Sequence, residues 1–278
     1  MQIPRFFITN NQIDETGAQI KISDPKLVHQ ISRVLRLREG DQAIVLDGEG
    51  ALFKCSIKKL ERTSAELSIE NTVRESLEDA ANAKELVVYL PLIKASRFEW
   101  ALEKLTELGA TTIVPLVTQR TVVKGSNDSN RDFKKSQVGK MQDAEDWQDG
   151  NVKKERWLSI VREAAEQSER LTIPKVVAPK NFGKLLDELV VAQSDPVFIL
   201  AERQKCIHLA THLFKESSGF SQCKKISFLI GPEGGFTNEE IEKAAETGLI
   251  FASLGKQILR TETAAIACAT IIDALRSQ

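Results

Sequence analysis

The stretch Ile226–Ala267, ISFLIGPEGGFTNEEIEKAAETGLIFASLGKQILRTETAAIA, decides how the chain is read. An apolar run ends at Ile230, and Gly231-Pro232-Glu233-Gly234-Gly235 turns the chain sharply. Thr237 with Glu240 has the spacing of a capping box, so a helix is predicted from Asn238. A second apolar run ends at Leu254-Gly255, and a long helix is expected to open near Thr261 or Thr263. Ala264, Ala265, Ala267 and Ala269 keep that helix small-sided at its start. Glycine between a strand and a helix serves either a positive φ or a close approach to the backbone. At this level the approaching group is a phosphate, a cofactor or another part of the chain.

Outward from this stretch, strand and helix patterns alternate. LVVYLPLI, TTIVPLV, KVVAP, VFILA, ISFLIG and IFASLG are apolar runs separated by helical segments from Leu86 onward. Such alternation predicts an α/β unit with a mostly parallel sheet covered on both faces. Strand-end loops at Leu200–Gln204, Gly231–Gly235 and Leu254–Arg260 would then meet at one sheet edge and form a small-molecule pocket. Before Leu86 the pattern differs. AIVLDG, ALFKCSIKKL and SAELSIENTV read as short strands, with Asp47-Gly48 supplying hairpin turn chemistry. DPKLVHQISRVLRLREG reads as a helix running from Pro25 to a glycine stop at Gly40. The boundaries expected are a first domain at 1–75, a polar linker at 76–85 and a second domain at 86–278. Within the second, residues 124–155 are polar and aliphatic-poor, which predicts a mobile excursion in place of a packed element.

Composition narrows the classes. The chain has 278 residues, 42% hydrophobic and 28% charged, enough to bury a sizeable core. No apolar run approaches the ~20 residues of a membrane span, and the opening MQIPRFFITNN lacks a signal-peptide pattern. Cys55, Cys206, Cys223 and Cys268 have no CxxC spacing and read as reduced thiols, so a cytoplasmic protein is expected. A formal net charge of −1 neither demands nor excludes an RNA partner, because a local basic patch suffices. GxGxxG is absent, and Gly255-Lys256 is followed by Gln257, which breaks the Walker pattern. His208, His212 and Glu216 recur every fourth residue near Cys206, a spacing that could hold zinc. Ile207, Ala210 and Phe214 are expected to claim the buried side there, which leaves the histidines wet and no metal expected. Lys26, Arg33, Arg36 and Arg38 share a stretch without acids, with Leu27, Ile31 and Leu35 turned inward. That stripe suits phosphate contacts or is an ordinary exposed helix face.

IGPEGGFTNEEIE followed by LGKQILRTETAAIA resembles the C-terminal signature of the bacterial 16S ribosomal RNA (uracil-N3-)methyltransferase family. PRFFI, HQISRVLRLREGD, PLIKASRFEWALEKLTELGA, RTVVK and RWLSIVREAAEQSER also fit, so the resemblance covers essentially the whole chain. It implies an N-terminal PUA-like β-barrel, then a SPOUT-class α/β domain whose chain end forms a deep trefoil knot. It also implies a homodimer, S-adenosylmethionine as cofactor, and 16S rRNA of the small ribosomal subunit as partner. The stretch between Thr121 and Glu155 is longer than that family's connection.

On this resemblance, Leu254, Gly255, Ile258 and Leu259 read the adenine, followed by Arg260, Thr261 and Ala264 at the helix start. Ile230, Gly231, Pro232, Gly234 and Gly235 face the ribose and methionine portion, while Leu200, Ala201 and Glu202 line the third side. The target nitrogen must lose a proton, which calls for a base or a cation that stabilises the uracil anion. REAAEQSER offers Arg162, Glu163, Gln167 and Arg170 as catalytic candidates, since Arg162, Glu166 and Arg170 would share one helix flank. The plain alternative is a solvated, salt-bridged helix. Arg5, Lys26, Arg33, Arg36, Arg38 and Lys94 are the candidates for gripping RNA.

Overall fold

A computed structural model describes residues 3–74, 84–121, 147, 151–190, 195–201, 206–215 and 223–276. The chain divides into two compact units, residues 1–81 with 165–173, and residues 82–164 with 174–278.

The first unit contains β1 (Arg5–Phe7), β2 (Gln19–Ile22), α1 (Pro25–His29), β3 (Gln42–Leu46), β4 (Ala51–Leu60) and β5 (Ala65–Arg74). Its five-stranded sheet has the order β1-β3-β4-β5-β2. Antiparallel pairing joins β3, β4 and β5 in sequence, whereas β1 lies parallel to β3. The predicted strands fall on β3, β4 and β5. Asp47 shapes the first connection by accepting the N–H groups of Glu49 and Ala51 on Oδ1, with Gly48 and Gly50 at positive φ. Phe6, Ile20, Ile31, Val45 and Leu67 are fully buried in the main core of this unit. Residues 165–173 join the unit through Ala165, Leu171 and Ile173, which pack with Phe7, Ile44 and Leu46. Glu166 adds two bonds: Oε1 accepts the Phe7 N–H at 3.1 Å and Oε2 accepts Gln30 Nε2 at 3.1 Å.

The expected helix from Pro25 to Gly40 is shorter and irregular. Asp24 caps α1, a single π-type turn follows over Gln30–Val34, and Arg36 sits at φ 55°. A non-glycine residue in the left-handed region cannot continue a helix, so the stop comes before Gly40. Leu27 and Ile31 are buried and Leu35 packs against the core, as the pattern requires.

The second unit contains β6 (Glu85–Pro91), α2 (Ala95–Glu107), β7 (Thr112–Val117), the start of α3 (Val152–Gln167), β8 (Lys175–Val176), β9 (Lys180–Asn181), α4 (Phe182–Val190), β10 (Val197–Leu200), β11 (Ile207–His208), α5 (Leu209–Lys215), β12 (Lys225–Ile230), α6 (Asn238–Glu246), β13 (Ile250–Ser253) and α7 (Thr261–Arg276). Its eight-stranded sheet runs β11-β13-β10-β12-β6-β7-β8, with β9 beside β7, and each of these pairings is parallel. Near-continuous burial along β6, β7 and β12 fits a sheet covered on both faces. The neighbours β13, β10 and β12 run in one direction, so Ser253, Leu200 and Ile230 end at the same edge. α7 packs against α2, α5, β6 and β12, and its small residues Ala264, Ala265, Cys268 and Ala269 are buried.

Residues 124–146 and 148–150, and residues 76–83 of the expected linker, lie outside the described residues, while its last residue, Glu85, opens β6. Of the rest, residues 147 and 151–155 are described, with Val152 and Glu155 exposed. Trp147 lies 5.5 Å from the Trp157 ring, which meets Phe98 at 4.6 Å, and α3 already begins at Val152. Around α5 the expected faces are exchanged. Leu209 and Leu213 are buried, whereas Ile207 and Phe214 are 55% exposed. His212 is half-buried against Phe198, and its buried Nε2 makes no hydrogen bond among the described residues. The buried stripe is displaced from the expected one because β11 ends at His208 and α5 starts only at Leu209.

Candidate functional site

The stretch 231–237 folds as its chemistry demands. Gly235 takes φ 68° and donates its N–H to Pro232 O at 2.8 Å, closing the turn. A side chain on Gly231 would come within 3.2 Å of the Phe236 ring, so this glycine lets the turn fold onto its own aromatic residue. Thr237 and Glu240 form the predicted capping box: Glu240 N–H donates to Thr237 Oγ1 at 3.2 Å, and Thr237 N–H donates to Glu240 Oε2 at 2.9 Å.

Three strand-end segments enclose a cavity of about 420 Å³. The end of β10 contributes Leu200 and Ala201; the turn contributes Ile230, Gly231, Pro232, Gly234 and Gly235. The segment after β13 contributes Leu254, Gly255, Ile258, Leu259, Arg260 and Thr261, with Ala264 from α7. All these residues are among those expected around one pocket. Glu202 lies outside the described residues. Thr261 Oγ1 donates to Gly231 O at 3.1 Å, tying the start of α7 to the glycine turn. Gly255 has φ 120° with open space around it, and Ile258 is 72% exposed at the cavity. Among the described residues, the backbone groups of 255–258 make no hydrogen bond within the protein. A flat heterocycle with donor and acceptor edges would find partners there. The walls suit S-adenosylmethionine: apolar side chains for the adenine faces and a turn on which a ligand meets backbone directly.

Two arginines that sequence reasoning missed hold the turn. Arg120, just beyond β7, lines the cavity and donates Nη1 to Gly234 O at 3.0 Å and Phe236 O at 3.2 Å. A Cβ on Gly234 would stand 3.2 Å from Arg120 Cβ, so this glycine makes room for the arginine. Arg97 on α2 donates Nη1 to Glu233 Oε1 at 3.2 Å, and its Nε stands 3.7 Å from Glu262 Oε1. Glu262 belongs to the first turn of α7 and is 6% exposed; its buried Oε2 makes no hydrogen bond among the described residues. The signal that could have marked Arg120 is its position at a strand end beside the expected pocket.

The catalytic candidates are placed differently. Arg162 and Glu163, in the second unit, are not among the residues lining the cavity, and Gln167 and Arg170 belong to the first unit. Glu163 accepts Ser159 Oγ at 2.9 Å and is exposed, as is Gln167. α3 stops at Gln167 and Glu169 takes φ 59°, so Arg170 leaves the helical flank it was expected to share with Arg162 and Glu166. In the first unit, Lys26, Arg33, Arg36 and Arg38 are exposed, whereas Arg5 pairs with Glu169 at 2.8 Å. Lys94 is exposed before α2 in the second unit. No cluster of metal-binding side chains occurs among the described residues, and no helix there is long and apolar enough to cross a membrane.

A model of the RNA methyltransferase domain matches residues 80–144 and 138–273, and one of the RNA methyltransferase PUA domain matches residues 28–70. The chain is 34% identical over 275 residues to ribosomal RNA small subunit methyltransferase E of Synechocystis sp., covering 98% of this chain and 77% of the relative. A ribosomal RNA small subunit methyltransferase E structure from Neisseria gonorrhoeae bound to S-adenosylmethionine superposes with a TM-score of 0.74 at 27% identity, covering 99% of this chain and 98% of that one. A Legionella pneumophila methyltransferase structure with bound S-adenosylmethionine gives 0.76 at 25% identity, with the same coverage.

Proposed function

The chain belongs to the ribosomal RNA small subunit methyltransferase E family, and on that premise we propose that it methylates N3 of a uridine in 16S rRNA, using S-adenosylmethionine. One observation carries the cofactor assignment: three adjacent parallel strands end around a cavity beside which, among the described residues, the backbone groups of 255–258 make no hydrogen bond. Residues 254–259 would hold the adenine edge, the 230–235 turn the ribose and methionine portion, and Leu200 and Ala201 the third wall. When bound, S-adenosylmethionine supplies an electrophilic methyl on a sulfonium, so the protein's task is alignment of an incoming nitrogen and loss of its proton. Arg120 and Arg97 fix the turn before a ligand arrives, which reduces the ordering that binding would otherwise require.

The first unit would be a PUA-like barrel that grips RNA through Lys26, Arg33, Arg36 and Arg38, all exposed cations suited to phosphate. Lys94 would add a contact from the second unit. Arg5 would serve there only after leaving Glu169. The end of the second unit would be knotted: Thr261 holds Gly231, and α7 packs on β6 and β12 after the 254–260 loop has passed the cavity. The chain would act as a homodimer, in which a second copy brings Arg162, Glu163, Gln167 and Arg170 to the cavity. The work would be done in the cytoplasm.

The deciding experiment transfers radiolabelled methyl from S-adenosylmethionine to small subunits from a strain lacking this activity, followed by nucleoside analysis. Label in 3-methyluridine is the expected result. Label elsewhere would change the target. Absence of both label and cofactor binding would leave a non-catalytic ribosome-assembly module.

A further inference from the structure

The cavity has a cation, Arg120, whose remaining donors the cofactor reading leaves unused. Arg120 is exposed at its rim and employs a single nitrogen, Nη1, on Gly234 O and Phe236 O. Nε and Nη2 make no hydrogen bond among the described residues. These two donors form the side edge of the guanidinium fork, the edge that pairs with a carbonyl or an oxyanion. The head is also braced. Gly234 lets the stem lie against the turn, and the preceding residue is pinned because Gln119 N–H donates to Glu240 Oε1 at 2.8 Å. A fixed cation with two free donors beside a methyl-donor cavity is arranged for charge that develops during the reaction.

We propose that Arg120 is a substrate-contacting catalytic residue, whose Nε and Nη2 hold a uracil carbonyl flanking N3 and stabilise the uracil anion. This rests on uridine N3 being the methylated atom. In the step, the N3 proton passes to water and leaves the anion, with charge shared between N3 and its two flanking carbonyl oxygens. The N3 pair then bonds the methyl carbon while the sulfur–methyl bond breaks, its electrons returning to sulfur and neutralising the sulfonium. Arg120 keeps its proton throughout; its role is to make the anion easier to form. Other charged groups at the cavity are Glu233 on the turn and Arg260 before α7, with Glu240 behind Gln119. Glu233 is paired with Arg97, so it does not take up the Arg120 fork.

The test measures kcat against pH for wild type, Arg120→Ala and Arg120→Lys on unmethylated small subunits, at saturating S-adenosylmethionine so that weakened cofactor binding does not enter. Arg120→Ala is expected to lose about 10²–10³-fold in kcat, the scale of a lost oxyanion donor. Its activity should recover toward alkaline pH, where N3 ionises unaided. Arg120→Lys should keep the charge without the fork and fall between the two. Calorimetry on the same variants reports cofactor affinity. An unshifted pH profile in Arg120→Ala, with S-adenosylmethionine affinity reduced in its place, would overturn the proposal and leave Arg120 as a brace for the turn. A wild-type product other than 3-methyluridine would instead remove the premise, and the proposal with it.

Discussion

Gln119 and Glu240, 121 positions apart in sequence, are joined by a 2.8 Å hydrogen bond from the Gln119 N–H to Glu240 Oε1. The same carboxylate closes the capping box through Oε2. One buried side chain therefore starts α6 and fixes the backbone next to Arg120. Glu240→Ala leaves two backbone donors without partners, a loss of about 1–3 kcal/mol. Chemical denaturation should show it, together with weaker S-adenosylmethionine binding. Glu240→Gln keeps one acceptor oxygen and should lose less.

Gly234 and Gly235 are adjacent but differ in what they require. Gly235 sits at φ 68° in open space, so Gly235→Ala should cost about 1 kcal/mol of stability through backbone strain. Gly234 has no positive φ, but an added Cβ would press on Arg120 at 3.2 Å. Gly234→Ala should therefore leave the melting temperature nearly unchanged and reduce methyl transfer. Paired melting and activity assays would distinguish the two.

Arg97 and Glu262 can be tested by a double-mutant cycle. Arg97→Ala deprives a buried carboxylate of its nearby cation, although 3.7 Å and a half-exposed arginine temper the effect. A loss on the order of 1–3 kcal/mol is expected. Adding Glu262→Gln should return part of it, because the amide no longer needs a counter-charge. Strict additivity in urea titrations would mean that the two groups do not interact.

Arg36 occupies the left-handed region at φ 55°. Glycine there relieves strain of about 1–2 kcal/mol against an unfolded-state entropy loss of about 0.4–1 kcal/mol. Arg36→Gly should thus fold as well as wild type. If Arg36 meets a phosphate, RNA affinity should fall and the salt slope should shrink by about one. Arg36→Val, which loses the same charge but worsens the backbone, should also melt lower.

Alkaline conditions should weaken the fold in a defined window. Burial, with Glu70 adding to it, raises the Cys55 thiol from 9.0 to about 12. Burial likewise raises Tyr89 from 10.0 to about 12. The folded chain then binds more protons than the unfolded chain over this range, so stability is full below about pH 9 and declines toward 12. Cys55→Val removes one of these groups and should flatten the decline measured by denaturant titration above pH 9.0.

The parallel sheet and the pocket were legible because their signals are local. The capping box at Thr237, the glycines of 231–235 and the apolar runs each report on their own neighbourhood. What escaped was long-range. Glu166 reads as one charge on a helix flank, yet it accepts the Phe7 N–H from 159 positions away. Arg120 opens RTVVK at a strand end, but nothing local pairs it with Gly234, 114 positions away; only the fold brings the two together. The α5 segment shows a different failure: apolar periodicity reveals a helix but not its phase, because the two-residue strand before it offers no boundary signal.

Leu171 and Ile173 complete a cluster with Phe7, Ile44 and Leu46, so a strip of chain far downstream belongs to the first unit. On the ribosome this has a cost in time. Residues 1–81 emerge early, but their hydrophobic surface at Phe7 and Leu46 lacks Ala165, Leu171 and Ile173 until residue 173 follows, on the order of 5–20 s later at typical elongation rates. A nascent chain stalled before that point would carry an open apolar face, a natural stop for a chaperone. For the same reason a fragment ending at residue 81 would be a poor stand-in for the first unit of this protein.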